Sequence, residues 1–305
     1  MWLILAFLSA AMLGCYDSFK KQALKGNAVI PVLFLNTLFS SLIFLPFILL
    51  SSTTDVLDGT VFQTARGGWE MHKFIVLKAL IVLSSWILGY FGMKHLPLTI
   101  VGPINATRPV MVLVGALLVF GERLNMWQWI GVLLAVASFL MLSRSGKKEG
   151  IDFKHDHWIY MIVGAAALGA VSGLYDKFLM APVESGGVGL DRMMVQSWYN
   201  IYQCFMMGAM LMLLWWPKHE QTTPFHWSWS IVGVSVFLST ADFLYFYSLS
   251  MPDAMISIVS MVRRGSVIVS FMFGAMFFHE KNLKAKAVDL ALVLLGMLFL
   301  YIGSR

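Results

Sequence analysis

Apolar positions along this chain come in long unbroken runs, not in amphipathic stripes. Runs of about 20 residues recur at roughly 1–21, 29–50, 73–93, 97–120, 125–143, 157–180, 193–216, 227–250, 252–278 and 284–303, with short polar breaks between them. A helix needs ~20 mostly apolar residues to cross the hydrocarbon of a bilayer. Lipid offers no partners to open backbone groups, so such runs must be helical. The pattern predicts an all-α integral membrane protein with ten transmembrane helices. The longest break, about 51–72, reads as a loop or a short surface helix, and no soluble domain is left over.

Composition agrees with this. Of 305 residues, 59% are hydrophobic and 12% charged, where a soluble domain carries about 25% charged residues. The net charge of +6 suits contact with anionic lipid headgroups. No basic cluster is large enough to form a nucleic-acid face. Trp127, Trp129, Trp158, Trp215, Trp216, Trp227 and Trp229 lie near run ends, where amphipathic rings sit at the membrane–water boundary. The first run lacks a basic n-region and a small-residue cleavage pattern, so it reads as a retained helix. Cys15 and Cys204 fall inside predicted helices and form no metal spacing or disulfide framework.

The chain also repeats itself. "GCYDSF", Gly14 to Phe19, returns as "GLYDKF", Gly173 to Phe178, 159 residues later. Ala10 falls on Gly169, which reads as a small-residue face for close helix packing. At an offset of 155, Tyr90-Phe91 falls on Tyr245-Phe246, Pro97 on Pro252, Asn105 on Ser260 and Arg108 on Arg263. At 158, Glu122 falls on Glu280. The repeat predicts two five-helix units, 1–146 and 147–305. Five is odd, so the second unit must enter the membrane from the opposite side. Such inverted repeats are a common construction of secondary transporters, with the site at the repeat interface near the midplane.

The run "RPVMVLVGALLVFGERLNMWQWIGVLLAVASFLML" resembles the EamA module of the drug/metabolite transporter superfamily. Pro109, Gly121-Glu122 and Gln128 to Gly131 carry the resemblance in the first half. In the second half Glu280 and Gly296 fit, but Val267 and His279 stand where Pro and Gly are expected. The resemblance implies a ten-helix, two-repeat carrier of small metabolites with both termini in the cytoplasm. Loop charges point the other way. Twelve Lys and Arg residues fall in the odd-numbered loops, counting Lys20, Lys21, Lys281, Lys284 and Lys286, against five in the even ones. The positive-inside rule would then place the termini outside.

Candidate chemistry lies in the ionisable residues inside the runs. Arg108, Arg263 and Arg264 sit about midway along theirs. Burying such a charge costs at least ~2.5–3.5 kcal/mol, and residues of this kind face a cavity or a partner. A planar guanidinium suits a carboxylate or phosphate. Asn105, Ser260, Tyr90 and Tyr245 accompany the arginines and complete a predicted substrate site. Asp17 and Asp176, with Tyr16 and Tyr175, form a predicted proton site or gate, with Asp242 as a further candidate. Each aspartate could equally be locked in a fixed ion pair. Lys78, early in its run, is expected to snorkel, and Glu122 and Glu280 at helix ends to reach water.

No nucleotide, zinc, cofactor or nucleophile motif appears. The reading is a permease of the plasma (inner) membrane, not an enzyme. It moves a small polar metabolite, anionic or zwitterionic, by secondary active transport with alternating access, and protons are the candidate coupling ion. Two other readings compete. An intramembrane aspartyl protease would pair Asp176 with Asp191, which falls in a loop. A membrane adaptor would have no need of arginines at the midplane of both repeats.

Overall fold

The computed structural model describes residues 2–111, 125–147, 151, 153–249, 251, 259, 262–278 and 282–303. Ten α-helices fall among these: α1 (Trp2–Leu24), α2 (Val29–Thr53), α3 (Trp69–His95), α4 (Leu98–Ala106), α5 (Met126–Lys147), α6 (His157–Met180), α7 (Arg192–Met210), α8 (Trp229–Leu249), α9 (Ser266–Phe277) and α10 (Leu283–Gly303). All regular elements among the described residues are helical. Six of them, α1, α2, α3, α6, α8 and α10, are long and apolar enough to cross a membrane. The chain is an integral membrane protein. α4 and α9 border segments outside the described residues. α7 carries too many polar side chains: Gln196, Asn200 and Gln203 are buried within it.

One boundary differs from the sequence expectation for a physical reason. α1 runs to Leu24, so Lys20 and Lys21, counted above with the first loop, lie inside the helix. The Lys21 ammonium donates to the carbonyls of Met93 (2.7 Å) and Leu96 (2.5 Å). It thus caps the C-terminus of α3, where unpaired carbonyls and the helix dipole favour a cation. Lys20 and Lys286 are buried inside helices, so neither belongs in the loop-charge count. The break at 51–72 is a loop, one of the two forms expected of it. Arg66 closes it back on α2 by donating to the Ser51 and Ser52 carbonyls.

Helices from the two parts of the chain pack in antiparallel pairs. Along α1 and α8, Ser9 Oγ donates to Ala241 O at 2.6 Å, Phe19 stacks on Phe237, and Asn27 binds the His226 backbone just beyond the helix ends. Along α3 and α6, Phe74 meets Phe178, Ser85 Oγ donates to Ala165 O, and His95 stacks on Trp158. α2 pairs with α7 through Ser41 Oγ and the Asn200 carbonyl. α5 pairs with α10 through Asn125 and Gly303 at one end and Ser138 and Asp289 further along. A Cβ on Gly296 would stand 3.0 Å from the Gly131 carbonyl, so the small residue sets the approach there.

The core is apolar, with Ile75, Leu83, Leu98, Ile104 and Ile162 fully enclosed. Equally apolar side chains cover the outside, among them Phe7, Leu49, Leu133, Phe205 and Met276. A lipid solvent has no objection to such a surface, whereas water would.

Candidate functional site

α1, α3, α6 and α8, with α4 and the start of α9, enclose a cavity of about 160 Å³. Two interrupted helices bring arginines into it. Pro109 has no N–H to offer the Asn105 carbonyl, so the hydrogen-bond ladder of α4 breaks beside it. Thr107 tightens the break, its N–H and hydroxyl both donating to Ile104 O (3.1 and 2.7 Å). Arg108 opens the helical stretch that resumes after the break. The second half uses glycine instead of proline. Gly265 N–H donates to Val262 O at 2.9 Å, immediately after Arg263 and Arg264. Val267 therefore needs no proline character for its helix to be interrupted there. Discontinuous helices of this kind line the sites of many carriers.

The Arg108 guanidinium donates to Asn105 Oδ1 at 3.2 Å, and its Nε is buried with no partner. It lies against α6 at Gly169, where a Cβ would stand 2.7 Å from Arg108 Cζ. Gly169 thus makes room for the arginine, beyond the helix-packing role expected of it. Arg263 is ion-paired with Asp242 and stacks over the Tyr245 ring at 4.1 Å. Asp242 also accepts from the Tyr199 hydroxyl at 2.9 Å. Arg264 lines the same cavity and, among the described residues, makes no hydrogen bond or ion pair.

The repeated aspartates are both paired with lysine. Asp17 lies 3.2 Å from Lys20, one turn on in α1, and accepts from Ser270 of α9 at 3.2 Å. The Lys20 ammonium donates to the Tyr16 hydroxyl oxygen and sits over the Tyr16 and Tyr90 rings at 4.4 and 5.1 Å. Asp176 is ion-paired across helices with Lys78 of α3. Lys78 is 2% exposed. It does not snorkel, because a carboxylate inside the protein meets it first.

The cavity thus brings together Tyr16, Asp17, Tyr90, Asn105, Arg108 and Asp176 with Asp242, Tyr245, Arg263 and Arg264. Tyr175 stands apart, half-buried, its hydroxyl donating to the Phe74 carbonyl at 3.2 Å. Ser260, Glu122 and Glu280 lie outside the described residues. Lys20, Lys78 and Tyr199 line the cavity as well and were not predicted to. Asp191 caps the N-terminus of α7, accepting from Met194 N–H at 2.8 Å. Asp191 does not line the cavity that holds Asp176. Among the described residues no His, Cys, Asp and Glu side chains gather into a metal-binding group.

The charge balance of the cavity is uneven. Each of its three carboxylates already has a cation: Lys20 for Asp17, Lys78 for Asp176, Arg263 for Asp242. Among the described residues, Arg108 and Arg264 remain without a carboxylate. A buried guanidinium with an unmet donor is costly unless something else meets it.

Residues 1–144 match the model of the EamA-like transporter family. That match, over the first part of the chain, supports a place among the EamA-type transporters of the drug/metabolite transporter superfamily. These are transporters of small molecules seated in a membrane. The whole chain is also similar to a solved crystal structure, with a TM-score of 0.64 and 12% identity over 98% of this chain and 95% of the other. At that identity the likeness is one of fold. No curated relative matches the chain.

Proposed function

We propose that the chain is a secondary carrier of a small anionic metabolite, built as two inverted five-helix repeats, 1–146 and 147–305. The observation that carries the anion is the pair of guanidiniums, Arg108 and Arg264, left without a carboxylate in an otherwise neutralised cavity. The antiparallel pairing supports the symmetry. Helices at equivalent places in the two repeats pack on each other, α2 on α7 and α5 on α10, while α1 on α8 mirrors α6 on α3. A twofold axis in the membrane plane produces this pattern. Drug-sized pockets run to ~300–1,000 Å³, so a cavity near 160 Å³ favours a substrate of few heavy atoms, such as a short carboxylate or a phosphate.

In this reading Arg108 and Arg264 hold the anion, with Asn105, Tyr90, Tyr245 and Arg263 completing the wall. Asp17 and Asp176, toward opposite faces, act as gates whose lysine pairs open and re-form as access alternates between the two sides of the plasma membrane. Protons are the candidate coupling ion. Purified protein in liposomes tests this. Arg108→Gln should cut uptake of small anions about 100-fold, the ~2.7 kcal/mol expected for losing a charge-assisted contact. Uptake at the wild-type rate would sink the assignment. Asp17→Asn and Asp176→Asn separate gate from proton site. If both keep gradient-driven accumulation with wild-type pH dependence, the acids act as fixed ion pairs alone.

A further inference from the structure

A second buried polar region lies beside the cavity, in the seam between α2, α7 and α8. Its residues fall at helical spacing on facing sides: Asn36 and Ser40 on α2, Gln196, Asn200 and Gln203 on α7, Ser235 and Ser239 on α8. All are at most 6% exposed, and none lines the cavity. Some bonds cross the seam. Ser239 Oγ donates to Ser40 Oγ, Gln196 Nε2 to the Ser239 carbonyl, and Ser235 Oγ to the Asn36 carbonyl. Many atoms are left unmet. Both amide atoms of Asn36, both of Gln203, Gln196 Oε1 and Ser197 Oγ are buried with no partner among the described residues.

Each such atom costs about 1–3 kcal/mol if it stays dry. The unmet set decides what meets it. It includes amide donors, Asn36 Nδ2 and Gln203 Nε2, together with amide acceptors. A bare cation satisfies only the acceptors. Water both donates and accepts, and buried water in proteins makes two to four such bonds.

The seam also has a destination. Asp242 follows Ser239 at i+3 on α8, and Tyr199, which donates to Asp242, follows Gln196 at i+3 on α7. We propose that the seam holds a cluster of bound water that reaches Asp242 from behind the cavity wall. The cluster solvates that carboxylate when Arg263 leaves it. The other groups around Asp242 are the Tyr199 hydroxyl, the Lys78–Asp176 pair and Tyr16. Arg264 lines the same cavity, but in the carrier reading the anion takes it up, which leaves water to meet the carboxylate.

Met207 is the reporter. It lies one turn beyond Gln203 on the same face of α7 and is fully buried. X-ray radiolysis of bound water makes hydroxyl radical in place, which oxidises a neighbouring thioether to the sulfoxide. In the purified protein, Met207 should be labelled at least about threefold faster than Met297, which is similarly buried in α10. The double variant Asn36→Leu, Gln203→Leu should lower Met207 labelling to the Met297 level and lower the Tm. If that variant does not fold, Asn36→Ala leaves room for water and should keep the label. Met207 labelled no faster than Met297 in the wild type overturns the proposal. So does a Tm raised by the leucines, the mark of a dry seam. A Tm rise with sodium chloride over choline chloride points to a cation and overturns it too. None of these readouts requires transport, so the water site stands or falls separately from the carrier reading.

Discussion

The two copies of the Tyr-Asp motif differ in where their aspartates find a cation. Asp17 takes Lys20 from its own helix, one turn away. Asp176 takes Lys78 from α3, so that this ion pair ties two helices together. The motif repeats the carboxylate but not its partner. Leu179 stands 159 residues after Lys20, and Gly233 stands 155 after Lys78. An intrahelical pair changes little when helices move, whereas an interhelical pair must break. The two ion pairs are therefore of different strength, and the tie between helices lies at Asp176.

The largest effect should follow from cutting that tie. Lys78→Ala strands Asp176 in a buried place, and breaking such a pair costs about 3–5 kcal/mol. Denaturation of the purified protein should show it, and the double change Lys78→Leu, Asp176→Leu should restore most of the loss. Lys20→Ala should cost clearly less, because Asp17 keeps the Ser270 hydroxyl. Equal losses for the two lysines would make the copies equivalent and break the comparison.

A smaller effect sharpens it. Asp17→Asn leaves Lys20 with the Tyr16 oxygen and two aromatic faces, so its cost should stay near 1–2 kcal/mol. Asp176→Asn should exceed that in the same assay. The smallest effect is expected at Tyr175→Phe, which loses one hydrogen bond to the Phe74 carbonyl, about 0.5–1.5 kcal/mol. Transport should be unchanged by it, because Tyr175 does not face the cavity.

How much of this could be read from the sequence follows from what each residue needs. Arg108 and Arg263 were legible because their depth in apolar runs leaves a cavity or a partner as the only outcome. Tyr16 and Asp17 were legible by repetition. Tyr175 misled by the same logic, since a repeated residue keeps its place on the backbone but not its surroundings. Lys20 and Lys78 were hidden because run ends mark where apolar sequence stops, not where the helix or the protein interior stops. α1 continues past its run, and Lys78 finds Asp176 instead of the interface. The polar seam carries a signal of its own in the sequence. Gln196, Asn200 and Gln203 recur at i, i+4 and i+7, as do Ser235, Ser239 and Asp242.

The central claim is that Arg108 and Arg264 receive an anion, and a binding measurement tests it most directly. Thermal unfolding of the purified protein would be followed in short carboxylates and phosphate, with matched cationic and neutral metabolites as comparison. A ligand that binds only the folded state at 100 times its Kd stabilises it by about 2.7 kcal/mol. The account predicts a Tm rise with one or more of the anions, absent with the cations and lost in both Arg108→Gln and Arg264→Gln. A rise with a cation that survives both substitutions would contradict it.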